Sequence, residues 1–195
     1  MDNTIPEQHP LGFFLPENTR VLMLGSFPPQ RERWSMNFYY PNFQNDMWRI
    51  LGLVFYNDKN YFVAESGKAF DEIKARYFCN EYGIGIGDTA KEIIRLNQNA
   101  SDKFLQVVTP FDPDKILSSV PLCTTLVITG QKAMETLLTV WPVKEPKIGT
   151  SISSTFMERT IRIYRMPSTS RAYPKPLPDK AEYYRQMFRE IGLIK

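Results

Sequence analysis

Histidine is almost missing from this sequence. His9 is the sole one in 195 residues, and the two cysteines, Cys79 and Cys123, lie far apart and outside any CxxC pair. No donor set for a zinc site or an iron–sulfur cluster is present, so no metal is expected and both thiols read as small apolar residues of the core. Long apolar runs are missing too. Nothing approaches the ~18 residues that cross a bilayer, and the acidic N-terminal stretch has no signal-peptide core. A cytoplasmic protein without membrane attachment is the expectation. Charge is nearly balanced at +3. Its distribution is uneven: residues 144–195 carry 11 Lys/Arg and 5 Asp/Glu, whereas residues 1–143 carry 13 and 16. A basic C-terminal region either faces an anionic polymer or is a solvated surface of uneven charge.

What is present suits a folded globular chain. The apolar fraction is 43% and the aromatic fraction 13%, and the length fits one domain spanning residues 1–195, with residues 1–18 as a Pro-rich, polar N-terminal arm. RVLMLG (Arg20 to Gly25), IGIGD (Ile84 to Asp88) and TLVITG (Thr125 to Gly130) are short apolar runs of the kind that become strands buried on both faces. In TIRIYRMP the isoleucines Ile161 and Ile163 are interspersed with Arg162 and Arg165, which suggests a strand with one wetter face or an edge strand. Helices are predicted from Asn45 or Asp46 through Phe55, from a Ser66 cap to Gly83 with Phe70, Ile73 and Tyr77 on one stripe, briefly from Ala90 to Leu96, from Gln131 to Pro142, and from Asp179 through Ile191. Strands alternating with helices predict a three-layer α/β/α sandwich around a short, mainly parallel sheet. In such sheets ligands bind beyond the carboxyl ends of the strands. Three loops converge there: the one after Gly25, the one at Asp88 and the one after Met166.

The first loop, GSFPPQRERWSMNFYYPNFQNDMW, carries neither the histidine nor the carboxylate pair of many active sites, and no GxxxxGK[ST] or GxGxxG pattern. Gly25, Ser26, Phe27 and Pro28 either form a plain strand-to-loop turn or present free backbone N–H groups to an anionic or carbonyl oxygen. Tyr39 and Tyr40 are either core residues or a platform for a flat ligand. Asn45 either caps a helix or offers its amide to a water and a heterocycle edge. Asp88, in the second loop, suits a loop-capping aspartate. Asp46 suits the positive end of the following helix. In the third loop Ser168, Thr169, Ser170 and Arg171 either form hydroxyl-stabilised turns or contact phosphates.

Taken in order, these segments resemble the uracil-DNA glycosylase superfamily, and within it the hypoxanthine-DNA (deoxyinosine) glycosylase branch. LMLGSFPP is similar to the first superfamily motif. YYPNFQNDMW aligns without a gap to the branch pattern YYxHPxNxFW through Tyr39, Tyr40, Asn45 and Trp48. GDTAKEII and NASDKF resemble the WD segment and the later S-x-D. TLVITGQKAMETL resembles FNGQKAYELF, and MPSTSRA resembles LPSTSPA. The matches run from about Arg20 to Ile194. The chain departs from the pattern where the superfamily places Asn or Asp, here Phe27, and where classical members have the motif-two histidine, here Met166. Asn42 and Phe43 stand in place of the branch's His and Pro, and the leucine wedge is absent, leaving Arg171 or Tyr173 to fill the space of an extruded base.

The resemblance implies a monofunctional DNA glycosylase of base excision repair. Such an enzyme hydrolyses the N-glycosidic bond of a deaminated base, hypoxanthine or uracil, in DNA, as a monomer without cofactor or metal. Residue by residue it implies Asn45 as catalytic, Tyr40 as the base-stacking ring, Gly25, Ser26, Phe27, Pro28 and Asp88 as base-binding, and Ser168, Thr169, Ser170 and Arg171 as DNA-binding. A catalytically inactive lesion-binding protein is the alternative that Phe27 and Met166 leave open. His9, in the N-terminal arm, is expected at the surface.

Overall fold

The computed structural model describes residues 5–96 and 104–195; NASDKF lies outside them except for Phe104. In chain order the strands are β1 (Glu7–Gln8), β2 (Val21–Gly25), β3 (Ile84–Asp88), β4 (Ala90–Arg95), β5 (Leu105–Pro110), β6 (Thr125–Thr129), β7 (Thr150–Phe156) and β8 (Arg159–Met166). The helices are α1 (Met47–Tyr56), α2 (Glu72–Tyr82), α3 (Pro113–Ser119), α4 (Gln131–Val140) and α5 (Leu177–Glu190), with a 3-10 turn at Arg31–Arg33.

The three aliphatic runs become β2, β3 and β6, buried at every position. With β8 they pair in parallel, and β7 adds an antiparallel edge, in the order β3-β2-β6-β8-β7. Alternate residues leave opposite faces of a strand. Val21, Met23, Ile84, Ile86 and Val127 therefore pack under α1, α2 and α5. Leu22, Leu24, Leu126, Ile128 and Ile163 pack under α3 and α4. The result is the three-layer α/β/α sandwich that the element pattern predicts. From β2 the chain pairs first with β3 on one side and later with β6 on the other, so the strand order reverses between β2 and β6. A ligand crevice is expected at that switch point, outside the carboxyl ends.

Several local expectations are corrected. The predicted helix from Ala90 to Leu96 is instead strand β4, because Ala90–Arg95 finds antiparallel partners in both β1 and β5, and ladder pairing overrides the helical propensity of Lys91 and Glu92. Helix α2 starts at Glu72, not after Ser66: Asp71 accepts a hydrogen bond from the Lys74 N–H at 3.0 Å and so caps it. Its buried face is Ala75, Phe78 and Cys79, while Ile73 and Tyr77 are exposed. Gly83 does end it, with φ +64. The N-terminal segment is laced into the fold from Glu7 on. Phe14 bridges Ile86, and the Phe13 ring lies where a side chain at position 87 would stand, a Cβ on Gly87 falling 2.2 Å from it. The glycines of IGIGD thus leave a flat strand for that segment to cover.

Candidate functional site

A cleft of about 870 Å3 opens at the carboxyl ends of β2 and β6. The loops after β2 and β8 and the end of β3 meet there, as the strand order requires, and the N-terminus of α4 closes a further wall.

The cleft floor is built from backbone. The Gly25 carbonyl accepts from the Thr89 N–H (2.8 Å) and hydroxyl (3.0 Å), and the Ser26 carbonyl accepts from the Ala90 N–H (3.2 Å). With the carbonyls thus held from behind, the Ser26 and Phe27 N–H groups make no hydrogen bond among the described residues. Two successive free donors at a strand end suit an anionic or carbonyl oxygen. The Phe27 ring turns into an apolar cluster with Ala90, Ile93 and Leu105, so this position offers backbone and a hydrophobic wall but no polar side chain. Gly25 is required by close approach: a Cβ there would lie 2.4 Å from Asp88 Oδ1 and 3.4 Å from the Tyr40 hydroxyl.

Asp88 is the last residue of β3, in register with Gly25. It lines the cleft, and its Oδ2 accepts from His9 Nε2 at 2.8 Å. His9 is therefore not a surface residue. Its side chain is 10% exposed, and the ring lies edge-on to Phe27 and stacked on Tyr39. Its Nδ1 faces the Leu11 backbone. Sequence reasoning missed this residue because its partner lies far along the chain. The cue was the pairing of a strand-end aspartate with the sole histidine.

Of the two adjacent tyrosines, only Tyr40 lines the cleft. Its backbone is in the left-handed region, φ +50, a conformation that costs a bulky residue about 1–3 kcal/mol and persists where surroundings enforce it. Its hydroxyl is 3.0 Å from the Thr129 hydroxyl, which itself donates to the Leu24 carbonyl, so the ring is pinned across the β2–β6 junction. Tyr39 is a core residue. Burial, with the Asp88 carboxylate and Tyr40 adding to it, holds its phenol well above the ordinary tyrosine range, and the protonated hydroxyl donates to the Gly12 carbonyl at 3.0 Å.

Asn45 lines the cleft one residue before the α1 N-cap, Asp46, and its Oδ1 accepts from the N–H of Met47, the first helical residue, at 2.9 Å. That bond fixes the amide orientation and leaves Nδ2 as the end it can offer. Asp46 does more than meet a helix dipole. It is buried, and its carboxylate accepts from Lys180 Nζ (3.0 Å) and Arg171 Nε (3.2 Å). Its N–H donates to the Thr169 carbonyl (2.9 Å), and Lys180 also donates to the Ser170 carbonyl (2.8 Å). These bonds clamp the first loop to the third.

Within the third loop the hydroxyl turns are formed: Ser168 Oγ accepts from the Ser170 N–H and Ser170 Oγ from the Ala172 N–H, both at 3.2 Å. Each serine keeps its O–H as a donor. Thr169 lies between them in the cleft lining, with its side chain buried. Tyr173 lines the cleft and Arg171 does not; Arg171 turns toward Asp46 and Gln44. Met166 is core.

The N-terminus of α4 is a wall that the sequence reading left out. Gly130, with φ +91, where a Cβ would fall 3.6 Å from Ser168 Cβ, directs the first turn of α4, with Gln131 and Lys132, at the cleft. A helix N-terminus favours negative charge through its unpaired N–H groups.

No protein-family model matches this chain, and no curated protein matches it. The fold is similar to the solution NMR structure of a "putative Uracil DNA glycosylase" from Methanosarcina acetivorans, with a TM-score of 0.62, 22% sequence identity, and coverage of 96% of this chain and 99% of that chain. At that identity the likeness establishes the fold, and what the cleft does rests on its own geometry.

Proposed function

We propose that this protein is a DNA glycosylase that removes a deaminated base, hypoxanthine or uracil, from DNA. The observation that carries the reading is the cleft itself. It joins the backbone N–H groups of Ser26 and Phe27, unengaged among the described residues, a pinned aromatic ring at Tyr40 and an oriented amide at Asn45 to a hydroxyl-bearing loop at Ser168 and Ser170. The solved structure it resembles carries the name of a uracil glycosylase, which agrees with this reading.

Excision of an extruded base breaks the C1′–N bond with its electron pair leaving on the base. Water adds its hydroxyl to the oxocarbenium-like C1′, and the remaining proton balances the departing base. In this scheme Tyr40 stacks on the flipped base, and the Ser26 and Phe27 N–H groups hold a base carbonyl where negative charge develops. Asn45 Nδ2 donates to the base edge or to the attacking water. Asp88, held by His9, offers its second oxygen to a base N–H or to the water. Ser168, Ser170 and Arg171 meet the flanking phosphates. The chemistry needs no covalent nucleophile, which accounts for a cleft without cysteine or a motif-two histidine.

The test is release of free base from oligonucleotides carrying deoxyinosine or deoxyuridine, with Asn45→Ala alongside. The wild type releases base and the variant does not. A second reading, a lesion-binding protein without turnover, draws on the Phe27 side chain being packed away and on Asn45 Oδ1 being engaged by Met47. Binding of lesion DNA with no base release over long incubation would establish it.

A further inference from the structure

Next to the cleft, across the Asp46–Arg171 ion pair, lies a shallower groove of about 470 Å3. Its cationic lining is Arg49, Lys59, Arg171, Lys175 and Lys180, and its one carboxylate is Asp46. That carboxylate is already shared between Lys180 and Arg171. Among the described residues none of Arg49, Lys59 and Lys175 forms an ion pair. Among the described residues, the groove is a concentration of positive charge that Asp46 alone offsets.

Arg49 is the built part of it. Its guanidinium lies over the Phe43 ring at 4.4 Å and the Phe70 ring at 5.0 Å, and donates to the Phe43 and Asn45 carbonyls. Its residue surface is 8% exposed, so α1 holds a charge in a fixed place at the groove's base. Burial first, and the neighbouring Arg171 charge second, draw it below its ordinary value, with Asp46 opposing. An anion in the groove would relieve that repulsion. Lys59 is exposed on the loop after α1, and Lys175 is half-buried beside α5 with its ammonium 5.1 Å from the Tyr183 ring centroid. Both can reach an incoming anion.

We propose that this groove is a second phosphate subsite, which holds the backbone of the bound DNA strand beyond the phosphates flanking the extruded nucleotide. The proposal rests on the DNA-binding reading of the cleft. Its location follows from the loops: Asn45, Ser170 and Ala172 face the cleft, while Asp46 and Arg171, each one residue away, face the groove. A strand whose phosphates meet Ser170 is thereby led past Arg171 toward Lys59 and Lys175. Charge without base-reading groups means that this contact adds affinity uniformly across sequences.

The experiment measures the affinity of the full chain for a short duplex carrying one deoxyuridine or deoxyinosine, across a salt series from about 50 to 200 mM. The wild type is compared with Lys59→Ala/Lys175→Ala and with Lys115→Ala, an exposed lysine on α3 across the sheet. Each lost phosphate contact lowers the slope of log K against log salt by about 0.9. The double variant is expected to lose about 1–2 units of slope and to bind both lesion and undamaged duplex more weakly, while Lys115→Ala keeps the wild-type slope. An unchanged slope in the double variant, with normal binding by the wild type, overturns the groove alone. Absence of salt-dependent DNA binding by the wild type overturns the DNA reading together with the groove.

Discussion

His9 Nε2 donates to Asp88 Oδ2 across 2.8 Å, tying the N-terminal segment to a carboxylate in the cleft. Both side chains are at most 10% exposed, so the bond is shielded from water. A hydrogen bond to a charged group contributes about 1.5–3 kcal/mol. His9→Ala should lower stability by roughly that amount in urea unfolding and slow base release, because Asp88 loses its orientation. His9→Gln, whose amide can still donate to Oδ2, should recover much of the rate. Equal damage by both substitutions would mean that the imidazole acts only through packing against Phe27 and Tyr39.

Gly25 makes the same carboxylate testable from the other side. A methyl group at position 25 would overlap Asp88 Oδ1, with a separation of 2.4 Å, and the short aspartate has little room while His9 holds it. Gly25→Ala is expected to reduce excision strongly while the protein stays folded. Gly12→Ala is the matched control: nothing lies within 4 Å of a Cβ there, and activity should be unaffected. Comparison of single-turnover rates decides the matter.

Asp46 and Lys180 form the buried clamp between the two cleft loops, with Lys180 only 1% exposed. Removing one partner of a buried pair leaves a charge uncompensated and costs about 3–5 kcal/mol. Asp46→Ala should therefore be the most destabilising single change among the site residues, read as a drop in the urea midpoint. Lys180→Met should cost less, because Asp46 keeps Arg171 as a partner.

The residues that could be read from sequence and those that could not differ in the range of their interactions. Strands β2, β3 and β6 are buried on both faces, which writes an unbroken aliphatic run into the chain, and the position of the cleft follows from strand order. The Asn45 bond to the α1 start was legible because the helix start is local. His9 was not, since its partner Asp88 comes 79 residues later. The α1 start suggested a dipole role for Asp46, and nothing nearby announces Lys180, 134 residues on. Strand β4 was misread for the same reason: its helix-favouring residues are overruled by partners on β1 and β5. The Ile73 and Tyr77 stripe failed on a choice between two helix faces that only packing against α1 and the sheet decides.

Asn45 separates support of the helix start from chemistry. Its Oδ1 holds the Met47 N–H at 2.9 Å, so Asn45→Ala removes a hydrogen bond at the helix start, at a cost of about 1 kcal/mol, along with whatever Nδ2 does in the cleft. Loss of one charge-stabilising donor slows a reaction by about 10²–10³-fold. Asn45→Asp uncouples the two effects. Its carboxylate can still accept from Met47 and suits a helix N-terminus, so stability should be retained, yet it has no N–H to donate. If Nδ2 contacts the base edge or the water, Asn45→Asp should lose base release as fully as Asn45→Ala while unfolding at the wild-type urea concentration. Wild-type turnover by Asn45→Asp would reduce Asn45 to a support of the helix start and move the catalytic burden to Asp88 and the backbone donors at Ser26 and Phe27.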